Sequence, residues 1–142
     1  MLRRLAFVAV VAAALTSCGG SNQKSLELRL WSDNYAFRVT MDPRPPRALE
    51  PVLYRVVVQD KKTGQPIDTG EGRIFATSAD RANTSDGFAK EKELGTYSGK
   101  LFFATSGDWA AAIQFRRDKN PRLPLERVDW IQTVLVASEP GT

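Results

Sequence analysis

The amino-acid sequence predicts an all-β protein built as an antiparallel sandwich of two sheets. Short segments alternate apolar and polar residues, which is the period of strands with one buried face. Turn-forming glycine, proline, asparagine and aspartate residues separate these segments. No helix longer than one turn is predicted after residue 17. The roughly 120 residues beyond that point suffice for one domain with its own core.

The first 17 residues differ from the rest of the chain and have the features of a leader. Two arginines supply a positive start, and an apolar run follows at residues 5–15. That run is too short to span a bilayer comfortably and has the length expected of a signal peptide. It ends in the four residues Leu15 to Cys18 (LTSC), which resemble the lipobox of bacterial lipoproteins, where the cysteine is acylated and becomes the mature N-terminus. We therefore predict a lipoprotein signal peptide at residues 1–17 and an acyl group such as palmitate on Cys18.

Cys18 is the only cysteine in the chain, so it cannot form an internal disulfide. The alternative to acylation is a buried free cysteine after an ordinary signal peptide. Acyl chains contribute about 0.8 kcal/mol per buried methylene, so more than one chain holds a protein on a membrane that it does not span. The sequence thus predicts an extracytoplasmic, lipid-anchored protein of the bacterial cell envelope. Its parts are a polar tether at residues 18–24, a β-sandwich domain at residues 25–137 and a disordered tail at residues 138–142.

The first half of the domain contains two alternating segments, residues 26–30 and 35–41, which could pair as a hairpin. Residues 42–51 follow and hold four of the eight prolines. Because proline cannot donate to a sheet ladder, this stretch is predicted as an extended crossover or a sheet edge. A polyproline-type recognition segment is the alternative, since arginines flank Pro45 and Pro46.

Residues 53–60 form the strongest predicted strand, with Tyr54, Val56 and Val58 on one face. A glycine-containing turn at residues 61–66 and a strand at residues 72–77 come next. Residues 78–93 are polar, and we predict a long loop there, which is either functional or mobile.

Residues 94–117 are predicted as two strands joined by a tight turn at residues 106–108, forming a hairpin. Each strand has one nearly apolar face, and these two faces comprise Tyr97, Gly99, Leu101 and Phe103, and Trp109, Ala111, Ile113 and Phe115. A last strand is predicted at residues 126–137, with Val128, Trp130, Val134 and Val136 on its apolar side. The pattern indicates an immunoglobulin-like sandwich of about seven strands, with a small β-barrel as the alternative.

The order of several short motifs resembles the YtkA-like domain, an immunoglobulin-like module that also occurs in FixH proteins. The motifs lie within about residues 40–115 and read Asp42-Pro43-x-Pro45-Pro46, Val56-Val57-Val58-Gln59-Asp60, Thr63-Gly64-Gln65-Pro66, Gly95-Thr96-Tyr97 and Gly107-Asp108-Trp109. The resemblance implies an extracytoplasmic, membrane-associated accessory module. In some members of that family this role is linked to assembly of membrane cation pumps or to copper handling.

The residue types of this chain do not fit a metal or cofactor role. Copper sites use His, Met and Cys, yet the chain has no histidine, and beyond the leader it retains only Met41 and Cys18. We therefore expect no metal and no cofactor. The lack of histidine also removes the commonest general base, so we expect no catalytic residues and no enzyme activity. The carboxylates Asp80, Asp86, Glu91 and Glu93 are interpreted as solvated charge.

The charge pattern argues against nucleic acid as a partner. Removing Arg3 and Arg4 from the 20 basic residues leaves 18, against 16 acidic residues, and these charges are scattered along the chain. Nucleic-acid binding needs a basic stripe or patch, which is absent from this sequence.

Trp31 and Phe102 lie on the polar side of their strands, so alternation places both in solvent. They are the candidate contact surface, although a bulge would turn either one inward. The sequence favours a non-catalytic binding or accessory module that contacts another membrane protein or complex. The alternative is a small-molecule or glycan-binding module that uses exposed aromatic residues and residues 78–93.

Overall fold

The computed structural model describes residues 26–140. The predicted signal peptide, Cys18 and the tether lie outside the described residues, as do the last two residues of the chain. Nine strands occur in the described part: β1 Leu28–Trp31, β2 Tyr35–Asp42, β3 Pro51–Asp60, β4 Glu71–Ser78, β5 Asn83–Gly87, β6 Ala89–Lys90, β7 Thr96–Phe102, β8 Gly107–Arg116 and β9 Glu126–Val134. Within residues 26–140, no helix has the length and apolar character needed to cross a membrane.

The strands form two antiparallel sheets with the core between them. The first sheet has the order β1-β2-β3-β7-β6, and the second has the order β5-β4-β8-β9. The predicted antiparallel β-sandwich is confirmed, with nine strands in place of about seven. The pairing of β1 with β2 also confirms the predicted N-terminal hairpin. On β3, Tyr54, Val56 and Val58 are buried, as the alternation predicted.

The prediction of a long loop at residues 78–93 is wrong, because β5 and β6 lie there. β5 pairs with β4, and its inward polar side chains reach the neighbouring sheet. Thr84 Oγ1 accepts a hydrogen bond from the Phe102 amide at 2.9 Å, and Asp86 Oδ2 accepts one from the Lys100 amide at 2.8 Å. These side chains satisfy amides of β7, the strand that β6 covers at only two positions. A strand held by polar contacts has no apolar period, so alternation could not reveal it.

The predicted hairpin of residues 94–117 is also wrong, because its two strands belong to different sheets. β7 pairs with β3 and β6, whereas β8 pairs with β4 and β9. Residues 103–106 therefore cross from one sheet to the other. The predicted inward faces are nevertheless correct, since both strands point their apolar side chains into the same core. Across that core the rings of Phe103 and Trp109 meet edge to face, with centroids 5.1 Å apart.

The proline-rich residues 43–50, here called the proline loop, connect β2 with β3 inside one sheet. The predicted crossover is thus a loop between paired neighbours that also reaches the other sheet. The Leu135 amide donates to the Pro46 carbonyl, and the Ala48 amide donates to the Leu135 carbonyl, both at 2.9 Å. This pairing ends β9 at Val134 and leaves Val136 68% exposed, so the prediction that Val136 faces the core is wrong.

Asp60 organises the turn between β3 and β4, at the end of the sandwich opposite the proline loop. Its carboxylate accepts hydrogen bonds from the amides of Lys62 and Thr63 at 2.9 and 3.0 Å, and Arg117 donates to it at 2.8 Å. The Arg117 guanidinium, followed by these amides, lowers the pKa of the Asp60 carboxyl to about 2.

We expect Asp60→Asn to lower the free energy of unfolding at neutral pH and to leave little difference from the unchanged protein near pH 2. A lowered folded-state pKa stabilises the fold above the unfolded pKa of about 3.9, and this contribution is lost as the pH falls towards 2. Urea unfolding between pH 2 and 7 measures this pH-dependent contribution to the free energy of unfolding. Asp33→Asn, at an exposed position of the β1–β2 turn, is the control. The free energies of unfolding of Asp60→Asn and the unchanged protein could instead differ by the same amount at every pH in this range. That result would contradict the role of the Asp60 charge.

Candidate functional site

An open cleft of about 890 Å³ lies between the sheets, at the end of the sandwich away from the proline loop. Arg116 at the end of β8 lines it, whereas Gly107 at the start of β8 pairs with Val134 beside the proline loop. The chain passes from β5 in one sheet to β6 in the other through Gly87 and Phe88, which line the cleft. Because β6 has only two residues, this side of the sandwich stays open.

The floor of the cleft is aromatic. Tyr97 is buried and Phe88 half-buried, with their ring centroids 6.0 Å apart. The Tyr97 hydroxyl donates to the Ile67 carbonyl at 2.7 Å and accepts from the Gly70 amide at 2.9 Å. Burial raises the pKa of this hydroxyl above its ordinary value. Tyr97 therefore ties the strand β7 to the segment that leads into β4.

Two ion pairs lie beside this floor, Lys90 with Asp68 and Arg116 with Glu71. Lys90 Nζ lies 2.7 Å from Asp68 Oδ1 and 5.8 Å from the centroid of the Tyr97 ring. The Lys90 ammonium and the Gly95 amide, both bonded to Asp68, lower the pKa of this carboxyl. On the other side, Arg116 donates two hydrogen bonds to Glu71 Oε1. The cleft thus offers cations, carboxylates and an aromatic surface at one place.

The outer part of the cleft is formed by the connection between β8 and β9. Lys119 and Leu125 from this connection line the cleft and are exposed. Across residues 26–140, no group of three or more His, Cys, Asp or Glu side chains is placed to hold a metal ion. What the described side chains provide is a set of binding contacts: ion pairing, hydrogen bonding and aromatic stacking.

The two aromatic residues singled out from the sequence are exposed, Trp31 by 59% and Phe102 by 48%. Both lie on the outer face of the five-stranded sheet, but the structure does not bring them together. Trp31 pairs with Ala36, which pairs with Gln59 on β3, while Phe102 pairs with Pro51 at the other end of β3. Eight residues of strand correspond to about 26 Å. Trp31 and Phe102 therefore do not form one contact surface, and neither lines the cleft.

Part of the cleft lies in residues 78–93, which the sequence predicts as a candidate binding segment for a small molecule or glycan. This segment contributes Gly87, Phe88 and Lys90 to the cleft. Phe88 is the only aromatic residue in that polar stretch, which was an available signal. Nothing in the sequence around Asp68 indicates that it belongs to the cleft. Its role depends on contacts with Lys90 and Gly95 that only the fold creates.

No family model and no curated protein matches this chain.

Proposed function

We propose that the chain is a bacterial lipoprotein, acylated on Cys18, whose β-sandwich is a non-catalytic binding or accessory module for another membrane protein or complex. The observation that carries this proposal is the open cleft, with charges of both signs around an aromatic floor, at the end away from the proline loop. The LTSC motif and the resemblance to the YtkA-like domain support the placement in the cell envelope.

The position of the cleft suits a partner that reaches the module from outside the bilayer. Arg44 of the proline loop donates a hydrogen bond to the carbonyl of Leu26, the first described residue. A tether from Cys18 therefore joins the sandwich on the proline-loop side. The cleft, at the other end, would face away from the anchor and remain open to an extracytoplasmic segment of a neighbouring protein.

The chemistry of the cleft suits a polypeptide segment with mixed character. Protein interfaces combine aromatic anchors with a polar rim, and Arg is enriched in them. Here Phe88 and Tyr97 supply the aromatic part, while Lys90 and Arg116 are held by carboxylates that leave part of each side chain accessible. A partner carrying both acidic and basic groups could join these ion pairs without leaving a buried charge unpaired.

Affinity purification of the tagged full chain from gently solubilised membranes tests this proposal. We expect a membrane protein to copurify in stoichiometric amount and its recovery to fall at least tenfold with Lys119→Glu. The matched control is Lys62→Glu, at an exposed position of the β3–β4 turn outside the cleft. Equal recovery with both variants would place the contact elsewhere on the sandwich, and a chain that purifies alone would contradict the accessory role.

A small molecule or glycan is the second candidate occupant, and the aromatic floor favours it. Sugars and other small ligands stack on such rings beside a few polar groups. None of Trp31, Trp109 and Trp130 lines the cleft, so calorimetry is a better measurement than tryptophan fluorescence. Saturable heat with a panel of glycans, abolished by Phe88→Ser, would support this candidate. No heat across the panel would remove its support.

A further inference from the structure

The proline-loop end of the sandwich exposes a cluster of apolar side chains, here called the apolar tip: Leu49, Pro51, Phe102 and Val136. Leu49 is 60% exposed, and Pro51 is also exposed. Backbone pairing brings these residues to one end, because Pro51 pairs with Phe102 and the Leu49 amide donates to the Phe103 carbonyl at 2.8 Å. Arg47 joins Val136 to the same end by donating to its carbonyl at 3.2 Å. Isolated exposed apolar residues are ordinary, whereas a group gathered at one end of a domain is a candidate contact surface.

Leu49 has an unfavourable backbone conformation in this cluster. Its φ is +64°, in the left-handed region that residues other than glycine and asparagine rarely adopt. Hydrogen bonds from the amides of Ala48 and Leu49 hold this conformation, and the leucine side chain is left in solvent. The fold therefore pays a conformational cost without burying the side chain, which is the pattern expected where a residue serves a contact outside the domain.

The covalent chain places this tip close to the predicted anchor. Seven residues, Gly19 to Ser25, separate Cys18 from Leu26. Even a fully extended chain spans only about 27 Å between these two residues. Because Arg44 holds the Leu26 carbonyl against the proline loop, the proline-loop end is the part of the sandwich that the anchor keeps nearest the bilayer.

We propose that the apolar tip rests in the bilayer interface and orients the sandwich with its cleft away from the membrane. This inference depends on the proposed acylation of Cys18. Apolar side chains inserted at the headgroup level add to the binding that the acyl chains provide, and they fix which end of the domain faces the lipid. Because the connection to Cys18 is short, membrane lipid is the partner inferred for the apolar tip.

The contact is expected to be apolar and not driven by anionic lipid. The guanidinium groups of Arg44 and Arg47 donate to backbone carbonyls of Leu26 and Val136. Asp42 and Glu50 lie at the same end and offset two of its three positive charges, the third being Lys100, which shares a register row with Asp42. Burial of apolar area therefore supplies most of the free energy with which this surface binds a membrane. The negative surface potential of anionic lipid adds little to it.

Depth-dependent fluorescence quenching of the full-length acylated protein in vesicles tests the orientation. Cys18 is the only native cysteine and its thiol is blocked by acylation, so an introduced cysteine is the single labelling site. Leu49→Cys and Phe102→Cys report on the tip, and Trp31→Cys and Leu125→Cys are exposed controls away from it. We expect a nitroxide on the lipid headgroup to quench a dye at least twofold more at 49 and 102 than at 31 and 125. The quenching should be the same in neutral and anionic vesicles.

Several results would overturn this orientation. Membrane-bound protein with equal quenching at all four positions, or with none, would show that the tip does not meet lipid. Dye–dye contact between molecules at 49 and 102, without lipid quenching, would assign the tip to a second copy of the chain. If one labelled variant fails to fold, the other tip position decides. A chain that is absent from the membrane fraction would overturn the anchor itself, and membrane fractionation detects this separately from the orientation.

Discussion

Cys18→Ala is expected to move the protein out of carbonate-washed membranes and to leave the precursor uncleaved. The substitution removes the thiol that would carry the acyl chains, and each buried methylene lost removes about 0.8 kcal/mol of membrane affinity. The apolar run at residues 5–15 is too short to replace the anchor by spanning the bilayer. Immunoblotting of membrane and soluble fractions measures the shift, and incorporation of labelled palmitate measures acylation directly.

A substitution in the tether is the matched control for this experiment. Ser21→Ala leaves Leu15 to Cys18 unchanged and should keep both the label and the membrane fraction. If Cys18→Ala stays in washed membranes at the level of Ser21→Ala, and neither protein incorporates palmitate, the lipoprotein assignment is refuted.

Trp109→Ala is expected to lower the free energy of unfolding by about 3 to 5 kcal/mol, because removing a large buried aromatic side chain leaves a cavity. Trp109 is 1% exposed and packs edge to face on Phe103 across the two sheets. Its indole Nε1 also donates to the Thr105 carbonyl at 3.1 Å, within the connection that links β7 to β8. The variant therefore loses core volume and a contact that holds the crossing between the sheets.

Chemical denaturation of the purified domain measures this change. Trp31→Ala is the control, since Trp31 is 59% exposed and a surface substitution usually changes stability by no more than about 0.5 kcal/mol. A Trp109→Ala protein as stable as the Trp31→Ala protein would mean that β8 does not place Trp109 in the core.

Alternation along each strand predicted most of the core. It assigns to buried faces four residues that are buried in the structure: Val56, Tyr97, Ile113 and Phe115. The prediction succeeds because successive side chains of a strand point to opposite faces, so the buried set is a local property of the segment. It failed at Val136, because the pairing of Leu135 with the proline loop ends the strand before that residue.

The sequence predicts fewer residues of the candidate site than of the core. Lys90 and Phe88 fall in the predicted binding segment at residues 78–93, but Asp68 and Glu71 come from a different part of the chain. Their ion pairs join residues 22 and 45 positions apart, Asp68 with Lys90 and Glu71 with Arg116. Single charged residues in a sequence resemble solvated surface charge, and only their partners distinguish them.

The sequence by itself determined the β-sandwich class, the inward face of most strands and the LTSC motif that motivates a lipid anchor. Only the tertiary structure decided which strands share a sheet. β7 and β8 have the alternation of a hairpin, yet they lie in opposite sheets and face each other across the core. The same apolar period satisfies both arrangements, because it records which side of a strand is buried and not which strand supplies its hydrogen bonds. Residues 78–93 show the converse, since Thr84 and Asp86 hold β5 against β7 through polar contacts that leave no apolar period.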